Sequence, residues 1–181
     1  MVAMALMAAT KILLENHVYV FNGQLYKQVE GGPIRDNMTL VSAEMVMFEF
    51  TDIYKKKLMR MLIYSDVKFI KIYIDDLNLI YNHLPSGTYY SNGRMYRPGY
   101  GWSGKSYPGN GISKTEKLEI ERDSLERSER QLSKDIIEKE SAEIYRRIAN
   151  ECLPSSIRMI EDVPSNYSTD KLPILDTLMW V

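Results

Sequence analysis

Two adjacent carboxylates, Asp75 and Asp76, close the tetrapeptide Tyr73-Ile74-Asp75-Asp76. They end a β-rich run over residues 67–74, and a second apolar run, Leu77-Asn78-Leu79-Ile80, follows at once. The pattern predicts strand, tight turn, strand, with both acids at the tip. A carboxylate pair on a rigid hairpin suits Mg²⁺ or Mn²⁺, hard cations that take oxygen ligands and share them with substrate phosphates. Asp is also a common turn residue, so the dipeptide alone is equally a solvated turn. Tyr73 two places before, and apolar strands on both sides, single this pair out.

The elements that must position the pair are legible on either side of it. The chain has 181 residues, enough for one domain or part of a larger one, and its 45% apolar share supplies a core. A formal net charge of -1 gives no bulk attraction to nucleic acid. Locally, Lys55, Lys56, Lys57 and Arg60 form a basic cluster that either lines a groove or is a solvated helix face. The single cysteine, Cys152, excludes an internal disulfide, and His17 and His83 stand too far from it to suggest a zinc set. An intracellular, reducing location, cytoplasm or nucleus, is the expectation. Residues 1–9 are apolar but lack a basic leader, so they read as a buried helix continuing through Leu14. No run is long enough to span a membrane.

The first helix is expected to end near Glu15-Asn16. His17-Val18-Tyr19-Val20-Phe21 and Gln24-Leu25-Tyr26-Lys27-Gln28 then flank Asn22-Gly23, a type I′ hairpin signal. Gly31-Gly32-Pro33 breaks the second strand, and Asp36 or Asn37 can cap the next helix. That helix covers about 38–62. Over 40–50 it is apolar on nearly every side, which predicts burial, with its methionines as core filler. Residues 85–112 are rich in Gly, Tyr, Ser and Pro and read as a loop, with a short strand pair around Tyr89-Tyr90 and Arg94-Met95-Tyr96. Its tyrosines and Trp102 are the type that stacks on bases, and equally the type found in any aromatic loop. Ser113-Lys114-Thr115-Glu116 has capping-box spacing ahead of a long charged helix reaching about Glu151. Leu118, Leu125 and Leu132, then Ile136, Ile137, Ile144 and Ile148, predict the stripe that lies on the core. The end reads as β again, at Ile157-Arg158-Met159-Ile160 and at Leu172-Pro173-Ile174-Leu175-Asp176, with a turn at Pro164-Ser165-Asn166.

Three pieces stand in order along the chain: Gln28-Val29-Glu30-Gly31-Gly32-Pro33-Ile34, Tyr73-Ile74-Asp75-Asp76, and Lys171-Leu172-Pro173-Ile174-Leu175-Asp176. Together they resemble the palm of reverse transcriptases of eukaryotic retroelements, in the Penelope-like or a related style. The likeness runs from about His17 to the C-terminus and is weakest over 85–113. It implies RNA-directed DNA polymerisation by two-metal phosphoryl transfer, with Mg²⁺ or Mn²⁺ as cofactor and an RNA template, a DNA primer and deoxynucleotides as partners. Asp75 is then the metal ligand, Asp76 a second ligand or its support, and Tyr73 sits beside the primer end. Gln28, Gly31, Gly32 and Pro33 form the loop that approaches nucleotide or template, where glycine permits close backbone contact. Two positions depart from the family pattern. Arg35 stands where the family has a glycine, and no Asp precedes Asp36, whereas the family places a further metal-binding Asp upstream.

The expected architecture is α+β: a partial polymerase palm, an antiparallel sheet with packed helices, plus a long charged helix and a C-terminal β-hairpin. The expected division is 1–84 as partial palm, 85–112 as a Gly/Tyr-rich loop insertion, and 113–181 as the end of the palm and start of the thumb. The departures lead to the expectation of a truncated palm without activity as an isolated chain. Two other readings remain open: a noncatalytic remnant binding nucleic acid or a protein, and an unrelated α+β domain whose Asp-Asp turn is solvated.

Overall fold

The computed structural model describes residues 2–29, 37–73, 76–104, 111–130, 132–155, 157–160, 171–174 and 177–180. Among them the chain is α+β, with four α-helices and small antiparallel sheets. It divides into two compact units, Met1–Glu49 with Ile72–Leu77, and Phe50–Lys71 with Asn78–Val181.

The first unit opens with α1, Val2–Glu15. Strands β1, Val18–Phe21, and β2, Gln24–Lys27, pair antiparallel, with Tyr19 opposite Tyr26 and the two rings stacked at 5.7 Å. Asn22 and Gly23 both have positive φ, as the type I′ turn requires. The first part of α2, Asn37–Arg60, belongs to this unit, and the part from Phe50 onward to the second. Asp36, one of the two expected caps, lies outside the described residues. Burial departs from expectation here. Met4, Met7 and Ile12 of α1 are exposed, and so are Leu40, Val41, Met45, Val46 and Phe48 of α2. Only Met47 and Phe50 are buried in the stretch expected to be enclosed. An apolar surface favours cover, but it does not supply the element that covers it.

The second unit holds the core. Tyr54, Leu58, Ile63, Met95 and Ile148 are closed off from solvent, and Phe50 stacks on Tyr54 at 5.6 Å. Side chains of this size each contribute about 1.5–3 kcal/mol when fully buried. A 3-10 turn, Tyr64–Asp66, leads into β3, Val67–Tyr73, which pairs with β4, Asp76–Tyr81. The segment expected as a loop with one strand pair instead holds a three-stranded sheet: β5, Tyr89–Ser91, β6, Arg94–Arg97, and β7, Gly101–Gly104. One face of it is buried through Tyr90, Met95 and Arg97.

The long charged helix is two helices, α3, Lys114–Glu129, and α4, Lys134–Asn150. Arg130 and Ser133 have extended backbones and break it. The capping box at Ser113 and Glu116 is formed in both directions. In α4 the expected stripe is realised by Ile144 and Ile148, joined by Ala142, Tyr145 and Ala149, while Ile136 is exposed. In α3 it is not: Leu118 and Leu125 face water, and Ser124 is the buried residue. Leu132 lies between the helices and is half-buried. Residues 157–160 form no strand; Asn150 instead holds Met159, accepting from its N–H at 2.6 Å and donating to its carbonyl at 3.2 Å. Strands β8, Lys171–Ile174, and β9, Thr177–Trp180, form the C-terminal hairpin.

Candidate carboxylate hairpin site

The hairpin that carries the acids begins among residues that fix its base. Arg97, buried beneath the three-stranded sheet, donates through Nη1 to the Leu62 carbonyl at 2.9 Å and pairs through Nη2 with Asp66 at 3.2 Å. The Asp66 carbonyl accepts from Asn82 N at 2.7 Å, beyond the last residue of β4. Tyr81 lies on Tyr145 of α4, ring centroids 4.3 Å apart. Tyr54 donates to the Tyr145 carbonyl at 3.3 Å, and burial pushes both phenols well above their ordinary range. The base of β3 and β4 is therefore closed by a ladder bond, tied to β6 by a charged contact and to α4 by an aromatic contact, while Tyr54 ties α2 to the same turn of α4.

At the other end, Tyr73 is the last residue of β3 and Asp76 the first of β4. Two residues join them, which only antiparallel neighbours permit. Asp76 is exposed. Asp75, Gly31, Gly32 and Pro33 lie outside the described residues, as do Leu175 and Asp176 of the downstream motif. Gln28 follows β2, half-buried, and its N–H donates to the His17 carbonyl at 2.9 Å, one step past the strand ends. Gln28, Tyr73, Asp76 and the first half of α2 fall in the same compact unit, although more than forty residues of sequence separate Gln28 from Tyr73.

The donor set suits a hard divalent cation in kind, since it consists of carboxylate oxygens. Among the described residues no group of three or more His, Cys, Asp or Glu is placed to hold a metal ion. Two of the four basic residues of the α2 cluster are engaged elsewhere: Lys56 pairs with Asp52 at 2.5 Å, and Lys57 with Glu151. Glu151 also accepts from Tyr90 at 2.6 Å, and burial followed by this bond raises the Tyr90 phenol. No described helix is long and apolar enough to cross a membrane.

Sequence reasoning missed the order within residues 89–104. Tyr89, Tyr96 and Trp102 are register partners across β5, β6 and β7, so they form one row on the face opposite Tyr90 and Met95. The period-2 alternation of Tyr89-Tyr90 and Met95-Tyr96 was the available signal. Gly101-Trp102-Ser103-Gly104 carried none. Comparison with protein-family models, with curated proteins and with solved structures finds no match.

Proposed function

We propose that this chain is part of a reverse-transcriptase-like polymerase palm, with the β3–β4 hairpin as its carboxylate-bearing element. One observation carries the reading: Tyr73 and Asp76, on either side of Ile74-Asp75, end one strand and begin its partner, in the same compact unit as Gln28 and the start of α2. The resemblance assigns Asp75 and Asp76 as ligands of Mg²⁺ or Mn²⁺. Bound there, the cation would supply Lewis-acid charge to the primer hydroxyl and the leaving oxygen. Tyr73, on the strand that delivers the acids, would bound the primer end. The 28–33 segment would bound template or nucleotide.

A second reading, binding of nucleic acid or a protein without catalysis, is favoured by one specific fact. Arg35 stands where the family pattern has a glycine, so a side chain occupies the position where that pattern keeps the backbone open to close approach. Primer extension on a homopolymer RNA template with Mn²⁺ separates the two. Synthesis lost in Asp75→Ala supports the polymerase reading. Template bound without synthesis, with Mn²⁺ binding unaltered by Asp75→Asn and Asp76→Asn, supports the second. If template and Mn²⁺ both fail to bind, the proposal is wrong.

A further inference from the structure

We propose that the outer face of the β5–β7 sheet is a nucleobase-binding site, distinct from the carboxylate hairpin and independent of the polymerase reading. The face is built by register. Tyr89, Tyr96 and Trp102 form one cross-strand row, and Ser91 and Arg94 stand opposite each other in the next. The buried side of the sheet, Tyr90 and Met95, fixes which face looks outward. Trp102 holds the row together, 5.3 Å from the Tyr96 ring and 6.3 Å from Tyr89. Its indole N–H donates to Glu121 of α3 at 2.6 Å, and the Lys117 ammonium sits 5.6 Å over its ring.

Between this face and the start of α3 lies a cleft of about 210 Å³, lined by Tyr89, Ser91, Asn92, Arg94, Ile112 and Glu116. Its chemistry narrows the occupant. Arg94 makes no ion pair or side-chain hydrogen bond with any described residue. Glu116 spends one oxygen on the Ser113 N–H, a long contact of 3.4 Å, and keeps its other oxygen. A lone phosphate would meet the Glu116 carboxylate, and a hydrocarbon would strip water from both charges without replacing it. A flat ring with donors and acceptors on its edge satisfies all of them: a wall of Tyr89, a guanidinium fork for carbonyl or ring nitrogen, a carboxylate for an exocyclic amine. The volume lies below the roughly 300–1,000 Å³ of sites that enclose drug-sized ligands, so it takes one base rather than a dinucleotide cofactor. The base can come from a free nucleotide or from a single strand, whose other bases would continue along the aromatic row.

The test uses the full chain with Trp180→Phe, which leaves Trp102 as the only indole. Trp102 fluorescence is titrated with nucleoside monophosphates, with short single-stranded homopolymers, and with inorganic polyphosphate. Saturable quenching by a base-bearing ligand is expected, with polyphosphate a poor competitor. Saturation by monophosphates identifies a nucleotide site; saturation by homopolymers alone identifies a strand site. Tyr89→Ala should weaken binding about five- to hundredfold, the usual range for loss of one base stack, and Tyr89→Phe should not. Arg94→Lys keeps the charge and removes the fork, so it is a second probe should Tyr89→Ala fail to fold; it should weaken binding about tenfold. Asp75→Asn with Asp76→Asn should leave the quenching intact, separating this site from the hairpin. Absence of saturation, competition by polyphosphate equal to that of nucleotides, or parental affinity in both Tyr89→Ala and Arg94→Lys would overturn the proposal.

Discussion

Gly87→Ala should strongly destabilise the second unit. Gly87 has φ +82°, and a Cβ there would lie 2.2 Å from the Ser124 backbone oxygen and 3.1 Å from its carbonyl carbon. Both atoms belong to helix α3, so no flexible side chain can turn aside. The Ser124 hydroxyl also donates to the Gly87 carbonyl at 2.5 Å, and any displacement breaks that bond. A left-handed backbone costs an alanine roughly 1–2 kcal/mol. Overpacking adds about 1–3 kcal/mol, and the lost hydrogen bond about 1 kcal/mol. The sum is roughly 3–6 kcal/mol, a large share of a typical stability of about 5–15 kcal/mol. Gly99→Ala isolates the backbone component, because Gly99 has φ +79° and no atom within 4 Å of its added Cβ. It should cost only the roughly 1–2 kcal/mol of the left-handed conformation. Urea unfolding followed by far-ultraviolet circular dichroism reads both; with a slope near 2 kcal/mol/M the two midpoints should differ by about 1–2 M. Equal midpoints would refute the close approach of the 86–87 turn to α3.

Three further outcomes are expected. Alkaline pH should destabilise the fold: Cys152 is pushed up from 9.0 to about 11 by burial first, and burial likewise raises Tyr54, Tyr90 and Tyr145. The native state then keeps protons that the unfolded chain releases, so stability is full below pH 9 and falls as pH rises above it; a thermal midpoint unchanged up to pH 11 would contradict this. Ile148→Ala should cost about 2–5 kcal/mol, since Ile148 is wholly enclosed, while Ile136→Ala on the same helix should stay within about 0.5 kcal/mol; similar losses would mean that α4 is turned differently. Glu151→Gln should destabilise by about 1–3 kcal/mol, because it leaves the mostly buried Lys57 ammonium without its carboxylate and weakens the Tyr90 bond; an unchanged urea midpoint would show that the pair contributes nothing.

Features set by local chemistry were legible in the sequence. Asn22-Gly23 dictated the β1–β2 hairpin, Ser113 and Glu116 the start of α3, and the apolar runs around Asp75-Asp76 the strands β3 and β4. What failed depended on partners distant in sequence. Gly101–Gly104 has little strand propensity and is a strand because Arg94–Arg97 pairs with it. Ile157 to Ile160 has the propensity, but the Asn150 amide takes the backbone groups of Met159 in place of a neighbouring strand. The α3–α4 break falls among good helix formers, with no Gly or Pro to announce it. Leucines at heptad spacing promised α3 an apolar seam, and a serine closes it instead. Of the candidate site, Tyr73 falls on the expected strand, whereas Asp76 opens β4 instead of standing in the turn and Gln28 follows β2 instead of ending it; the row Tyr89, Tyr96, Trp102 needed the sheet register, which spacing alone does not reveal.

That serine seam has a consequence for how the protein breathes. Helix α3 is joined to its neighbours by Ser124 on Gly87, Glu121 on Trp102, the Ser86 hydroxyl on the Arg127 carbonyl, the Arg127–Glu140 pair with α4, and Lys117 over Trp102. The three hydrogen bonds are worth about 1.5–4.5 kcal/mol together, and the half-exposed ion pair and the cation–π contact add about 1 kcal/mol each at most. Amide hydrogen exchange should therefore find α3 opening as a unit of its own, while the amides of α4 wait for the whole of its unit to unfold. Each such opening lifts Glu121 and Lys117 off Trp102. The Trp102 end of the row is then bared by a fluctuation rather than by a hinge, and a ligand held in the cleft between Tyr89 and Glu116 with α3 in place should slow the exchange of α3 before it slows any other helix.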